Sequence, residues 1–326
     1  MKRRRVGRTR LELSEMGFGG SSIGNLYLPV DDEVAACAVG AAWEAGVRYF
    51  DTAPHYGLGL SEQRLGAALA GLQRDEFVVS TKVGRLLVPN PSPSGSDIDN
   101  GFAVPDELTR ARDYSRDGVL RSLESSLGRL GLDRVDIVYV HDPEEHLDEA
   151  LAGALPALVE LRDGGVVGAI GAGMNYWRPL LRIVKESDVD VVMLAGRWTL
   201  LDRSGEPLLA ECLERGVSVV AAAVFNSGLL ARSWPRDGAR FDYAPAPAEV
   251  LARARALARI CDDLGTTLPE AAACFGLRHP AVASVVVGAG SAEHSTLAAQ
   301  RVGAGLPATT WQALDEVVAG WTPTPL

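Results

Sequence analysis

The sequence predicts a single α/β domain folded as a (β/α)8 TIM barrel, and three observations predict it. Eight short β-rich runs recur along the 326 residues, separated by stretches whose apolar residues follow helical spacing. These runs are continuously apolar, which suits parallel strands covered on both faces. No linker or composition shift divides residues 1–326, and barrels of this class routinely hold one domain of such length. An open doubly wound sheet is the rival, which strand count alone does not exclude.

The elements follow in order. The first run is "EMGFGG" (15–20), and the second, "VRYFD" (47–51), is preceded by a helix with clear boundary signals. Asp31 can cap that helix, Asp32 and Glu33 suit its positive end, and Gly46 follows Ala45 as a stop. Next come "FVVSTK" (77–82), "VDIVYVH" (135–141), "VVGAIGAG" (166–173) and "VDVVML" (189–194). The helix-to-strand unit repeats in "LLAECLERGVSVV", where Gly216 ends a helix before "VSVVAAA" (217–223), and "ASVVVGA" (283–289) closes the set. Two connections exceed ordinary turns: 83–114 with "PNPSPSGSD", and 224–247 with "SWPRDGARFDYAPAP". Both follow strands, so they are expected to be long active-site loops at the C-terminal face.

Composition narrows the function classes. Apolar residues make up 47% and charged residues 23%, enough for a buried core. A net charge of −10 with dispersed acids argues against a nucleic-acid partner. The basic run "KRRR" (2–5) precedes no apolar stretch and is expected to be a solvated terminus. The longest apolar run, "VVAAAVF" (219–225), falls far short of the ~18 residues of a membrane helix, so no membrane partner is expected. Cys37, Cys212, Cys261 and Cys274 show no metal-ligand spacing, which fits reduced thiols, a cytoplasmic protein and no metal cofactor. A monomer or small homo-oligomer acting on a small molecule is expected.

Catalytic groups of a barrel sit at the C-terminal ends of its strands. Asp51 ends the second run, Tyr56 lies in its loop, Lys82 ends the third run and His141 ends the fourth. Neighbouring strands are about 4.8 Å apart, so all four side chains are expected over one rim. A lysine cation lowers a phenol's pKa, Asp51 keeps that lysine charged, and His141 can hold a substrate oxygen. Taken singly, each has a structural reading as cap, surface ring, rim charge or strand-end histidine. His55, beside Tyr56, is a further candidate for substrate contact.

On "FDTAPHYGLGLSEQRLGAAL", "STKVG" and "VDIVYVHDP" the chain resembles the aldo-keto reductases, over about Arg5 to Ala319. The resemblance implies a catalytic tetrad of Asp51, Tyr56, Lys82 and His141, with Tyr56 as proton donor or acceptor. It also implies a nicotinamide cofactor, NAD or NADP, lying extended across the rim without a Rossmann domain. "GAGMNY" (171–176) and "GAGSAE" (288–293) lack the third glycine of a dinucleotide fingerprint, in keeping with this. By resemblance the cofactor residues are Gly20, Asn175 at the carboxamide, Phe225 stacked on the ring, Asn226, Gly228, and Gly288, Ala289, Gly290 and His294 towards the adenine. Met174 and Ala195 depart from the usual serine and glutamine beside the carboxamide. "GAGSAEHSTLAAQ" offers Glu293 and no cation before Arg301, which favours NAD over NADP, whose 2′-phosphate needs cationic donors.

"LSEMGFGGSSIGNLY", the run from Gly101 to Pro143 and "AGRWTLLD" are most similar to the D-threo-aldose 1-dehydrogenase branch, with L-fucose and L-galactose dehydrogenases. That similarity implies oxidation of an aldose C1 hydroxyl to the lactone, on sugars of the L-fucose, L-galactose or D-arabinose type. Asn25, His55, Asp142, Arg197 and Trp198 are the candidate sugar contacts. The alternative within enzymes is an NADPH-dependent aldehyde or ketone reductase, since the same tetrad runs in reverse. From another class, a non-catalytic barrel sensing nicotinamide redox state is opposed by the intact tetrad. A metal-dependent hydrolase lacks the His/Asp cluster it would need.

Overall fold

In the computed structural model, which describes residues 1–321, the chain opens with an antiparallel hairpin of β1 (Arg3–Arg5) and β2 (Glu12–Ser14). Residues 322–326 of the expected domain lie outside the described residues. Then come β3 (Met16–Gly19), β4 (Tyr49–Asp51), β5 (Val78–Val83), β6 (Arg85–Pro89), β7 (Leu108–Arg112), β8 (Ile137–His141), β9 (Ala169–Met174), β10 (Val191–Ala195) and β11 (Ser218–Ala222). The short β12 (Arg240–Phe241) and β13 (Ala244–Pro245) precede β14 (Val282–Gly288). Strands β3, β4, β5, β8, β9, β10, β11 and β14 close into a parallel barrel in that order, each corresponding to one of the eight apolar runs. The doubly wound alternative is thereby excluded.

Helices α1 (Asp32–Glu44), α2 (Leu60–Leu69), α3 (Arg116–Leu130), α4 (Leu155–Asp163), α5 (Trp177–Glu186) and α6 (Glu206–Arg215) form the crossovers of the first strands. Helices α7 (Ala248–Asp263), α8 (Leu268–Phe275), α9 (Ala292–Gly303) and α10 (Ala308–Ala319) complete the ring. Gly216 takes the left-handed conformation expected of a helix stop, its N–H donating to the carbonyls of Cys212 and Leu213. Asp31 does occupy the N-cap of α1, but its side chain makes no capping hydrogen bond. Its contribution there is reduced to charge at the positive helix end.

Along each strand, side chains alternate between two cores. Phe50, Val79, Val138 and Val140 face the helices, whereas Tyr49, Val78, Ile137 and Tyr139 face the barrel axis. The basic run behaves differently from its expectation as a solvated terminus. Arg3–Arg5 is a strand, and Arg4 donates to Glu15 and to the carbonyls of Leu277 and Val282. The hairpin thereby inserts Val6 and Leu13, both fully buried, into the lower end of the barrel. Burying those two side chains outweighs the solvation of a few arginine stems.

Both long connections are built structures. The first carries β6 paired with β7, and its tip folds back as Asp97, which is buried, accepts two hydrogen bonds from the half-buried Arg110 guanidinium. The second carries β12 paired with β13, with Asp242 and Tyr243 at the turn, both in the left-handed region. Among the described residues no helix is long and apolar enough to cross a membrane.

Candidate active site

The inward alternation carries polar residues to the upper rim on three neighbouring strands. Asp51 follows Tyr49 on β4, Lys82 follows Ser80 on β5, and His141 follows Tyr139 on β8. The register sets Asp51 opposite Ser80 and Lys82 opposite Tyr139. Lys82 Nζ donates to Asp51 Oδ2 at 2.7 Å and to the Thr52 carbonyl at 3.0 Å. Ser80 Oγ donates to Asp51 Oδ1 at 2.7 Å, and a chain of hydroxyls from Ser80 through Tyr49 to Tyr139 continues downward. Lys82 is 1% exposed and Asp51 2%, so the pair is held away from water.

Tyr56 reaches this pair from its loop. Lys82 Nζ stands 4.7 Å from the centroid of the Tyr56 ring, and His141 meets that ring edge-on at 5.9 Å. The four expected residues therefore converge. Gly20 permits the approach of the neighbouring loop: a Cβ there would lie 2.8 Å from the Asp51 carbonyl, to which the Gly20 N–H donates. Phe102, from the first long loop, packs at 6.1 Å from Tyr56 and 5.2 Å from His55, and with Leu26, Leu58, Leu87 and Val104 forms an apolar wall.

The electrostatics differ in one respect from the sequence expectation. Burial raises the Tyr56 pKa, and the charge and hydrogen bond of Lys82 lower it without cancelling that rise. Burial alone would lower Lys82, but Asp51 and Tyr56 together reverse this and leave it raised, so it stays charged. Burial holds His141 neutral, its pKa well below the ordinary value, with Arg85 and Lys82 adding to the effect. His55 is driven down to about 2, first by burial, then by Arg85, Arg110 and Lys82.

Of the candidate sugar contacts, His55 and Asp142 reach the site. His55 lies 5.6 Å from His141, ring to ring, and Asp142 Oδ2 lies 3.5 Å from His141 Nε2. Burial raises Asp142 to about 6 despite its ion pair with Arg85. The other three are engaged elsewhere. Asn25 spends its amide on the Ala103 carbonyl, the Val30 N–H and Arg64. Arg197 is buried against Asp242 at 2.8 Å and Asp202 at 3.6 Å, so it anchors the second long loop. Trp198 donates to the Gly276 carbonyl and packs on Phe275 in the helix-side core.

The cofactor candidates divide similarly. Asn175 follows β9 at the rim and shares a hydrogen bond with Tyr243. Phe225 packs against the helix-side core; the inward side chain at the end of β11 is Ala222. Phe225 itself is only partly buried, in the loop beyond the strand. Asn226 is buried, donating to the Gly196 carbonyl while its Oδ1 has no partner, and Gly228 takes a positive φ beside it. Gly288 and Gly290 approach Ser22, Ala289 is buried in the outer core, and His294 is exposed in the first turn of α9, whose N-cap is Ser291.

These features fit a nicotinamide dinucleotide. Ala195 and Ala222 clear the rim beside Asn175, and the glycines with Ser21 and Ser22 leave a cradle at a helix N-terminus suited to phosphates. Sequence reasoning missed Arg85, Phe102 and Tyr243. The first directly follows the strand end and glycine of "KVGR", a signal for a rim charge; the other two sit in the long loops without periodicity.

Comparison with known proteins gives a consistent picture. The profile of the Aldo/keto reductase family matches residues 15–319. A D-threo-aldose 1-dehydrogenase from a Pseudomonas species is 48% identical over 97% of this chain and 96% of its own length. A pyridoxal 4-dehydrogenase from Microbacterium luteolum is 40% identical over 90% of each chain, and an L-galactose dehydrogenase from Arabidopsis thaliana 31% identical over 88% and 84%. Among solved structures, the holo form of the aldo-keto reductase AKR11C1 from Bacillus halodurans superposes with a TM-score of 0.76 at 27% identity, covering 97% of this chain and 96% of that one.

Proposed function

This chain belongs to the aldo/keto reductase family, and from that premise we propose that it oxidises the C1 hydroxyl of a cyclic aldose to the lactone. The observation that carries the reaction type is the convergence of Tyr56 on the buried Asp51–Lys82 pair, with neutral His141 across the same ring. The sugar class is supported by likeness to D-threo-aldose 1-dehydrogenase, the first relative described above.

Enzymes of this family use NAD(P)H, and the bound nicotinamide supplies the hydride acceptor. Asn175 would hold its carboxamide, Gly20, Asn226 and Gly228 would flank it, and Gly288, Gly290 and the first turn of α9 would take the phosphates. His294 and the exposed Glu293, with no cation before Arg301, favour NAD. His141 orients the C1 oxygen. Tyr56 takes the hydroxyl proton as the C–H bond breaks, and its raised pKa makes it a strong acceptor once ionised. Lys82 increases the ionised fraction, and Asp51 keeps Lys82 charged and in place. The apolar wall of Phe102 and Leu87 excludes water from this proton transfer.

The test is a panel of L-fucose, L-galactose, D-arabinose, pyridoxal and simple aldehydes and ketones, assayed in both directions with NAD(H) and NADP(H). The aldoses with NAD should give the highest kcat/KM. Faster NADPH-dependent reduction of simple carbonyls would replace this reading with that of a general reductase. Tyr56→Phe should lower oxidation about 10²- to 10⁴-fold while dinucleotide affinity, read by fluorescence quenching, stays near that of the wild type. Full activity in that variant would sink the mechanism.

A further inference from the structure

We propose that Arg85 and Asp142 form a clamp for the hydroxyl on the carbon next to the reacting one, so that the site selects substrates bearing a C2 hydroxyl. This rests on the aldose reading above. Asp142 Oδ2 lies 3.5 Å from His141 Nε2, the group assigned to the reacting oxygen, and accepts from Arg85 Nη2 at 2.5 Å. Hydroxyls on adjacent carbons are about one hydrogen-bond length apart, so one ligand can meet His141 and this pair together.

The pair keeps capacity in reserve. Arg85 Nε is buried and has no partner, and Asp142 Oδ1 accepts from no group among the described residues. An unused carboxylate oxygen on Asp142, held in place by Arg85, is the acceptor that a donating hydroxyl needs. Guanidinium nitrogens of Arg74, Arg110 and Arg203 are also buried and unpaired, and what distinguishes Arg85 is that its partner Asp142 stands beside His141. His55 Nδ1 and His141 Nδ1 are also buried and unpartnered, their rings 5.6 Å apart.

The backbone is built around this placement. Asp142 holds a left-handed conformation, φ +42°, which a non-glycine residue keeps only when its surroundings impose it. The Tyr114 hydroxyl donates to the carbonyls of both His141 and Asp142, and the Asp142 N–H donates to the Gly173 carbonyl. The Tyr114 ring packs where a Cβ on Gly84 would stand, and Gly84, at φ +99°, launches Arg85 from the end of β5. One tyrosine thus fixes both halves of the clamp.

The experiment compares each accepted aldose with its 2-deoxy counterpart, in wild type, Asp142→Asn and Arg85→Met. Wild type should favour the 2-hydroxy sugar by about 10²-fold or more in kcat/KM, because a site built for a hydroxyl penalises its absence. In both variants that ratio should collapse to within about threefold of unity, the change appearing chiefly in KM for the 2-hydroxy sugar. Asp142→Asn preserves shape, and an unchanged melting temperature and dinucleotide affinity would show an intact fold. Wild type that does not distinguish the two sugars overturns the clamp, as do variants that slow both equally. Should wild type oxidise no aldose, the aldose reading fails, and the clamp is judged separately by reduction of lactaldehyde against propanal, where equal kcat/KM overturns it.

Discussion

The two ends of the barrel are made from the same inward-facing rows and obey opposite rules. At the lower end Val6 and Leu13 from the β1–β2 hairpin join Ile137, Val191 and Val220 in a sealed apolar plug, and the hydroxyls of Tyr49, Ser80 and Tyr139 satisfy one another. Two or four residues further along, the rows end in Asp51, Lys82 and His141, and buried nitrogens of His55, His141 and Arg85 have no partner. Each unpaired buried group costs about 1–3 kcal/mol, a cost that a ligand can remove by supplying the missing hydrogen bond. The fold fixes which side chains face the axis; residue type then decides whether that end is a stopper or a reactive rim.

The largest effect should come from breaking the upper end. Lys82→Met leaves the Asp51 carboxylate buried without its cation, which should cost about 3–5 kcal/mol of stability, and sugar oxidation should fall about 10²- to 10⁴-fold. Oxidation by wild type should keep rising towards alkaline pH, because burial raises the Tyr56 pKa; in the variant the rise should move higher still, since Lys82 opposes that shift. Adding Asp51→Asn should recover stability without recovering rate, and urea titrations with pH–rate profiles read both. An unchanged profile in Lys82→Met would deny Lys82 its influence on Tyr56.

Leu13→Ala tests the lower end. Truncating this fully buried side chain should cost about 2–5 kcal/mol while leaving kcat/KM near wild type wherever the protein is folded. A loss of oxidation comparable with that of Lys82→Met would mean that the ends are not separable.

How much of this was legible in the sequence follows the same division. The eight strands and the four rim residues could be read because each apolar run ends where its chemistry begins, as in "RYFD" and "IVYVH". The hairpin was not, because Arg3–Arg5 presents charge to solvent and pairs only with a strand seven residues further on. Trp198 and Arg197 follow a strand end exactly as a substrate-binding residue would, yet one is packed on Phe275 and the other pinned to Asp242. Spacing reports that a residue lies near the rim, but the direction of its side chain depends on partners distant in sequence. Arg85 went unnoticed for the converse reason: its significance lies in Asp142 and Tyr114, which are 57 and 29 residues away.

The smallest expected effect separates the ends by their response to acid. His55 and His141 stay neutral in the folded chain, whereas in the unfolded chain they take up protons below about pH 6.5. Their depressed values therefore contribute stability that is present above that pH and lost as it falls, by up to about 1.4 kcal/mol per pH unit each. Asp142 has the opposite sign. Burial raises it to about 6, against Arg85, Lys82 and Arg112 and with Glu144, so its contribution is full below about pH 3.9 and lost as pH rises through 6. Between pH 4 and 6 it should offset part of the loss from the histidines. Urea midpoints from pH 7.5 to 4.5 should show this decline, Asp142→Asn should steepen it below pH 6, and His55→Gln should shallow it. Leu13→Ala should lower the whole curve without altering its slope, since Leu13 packs among apolar side chains and the phenols Tyr49 and Tyr139, whose pKa values burial raises far above this range; a changed slope there would break the division between the two ends.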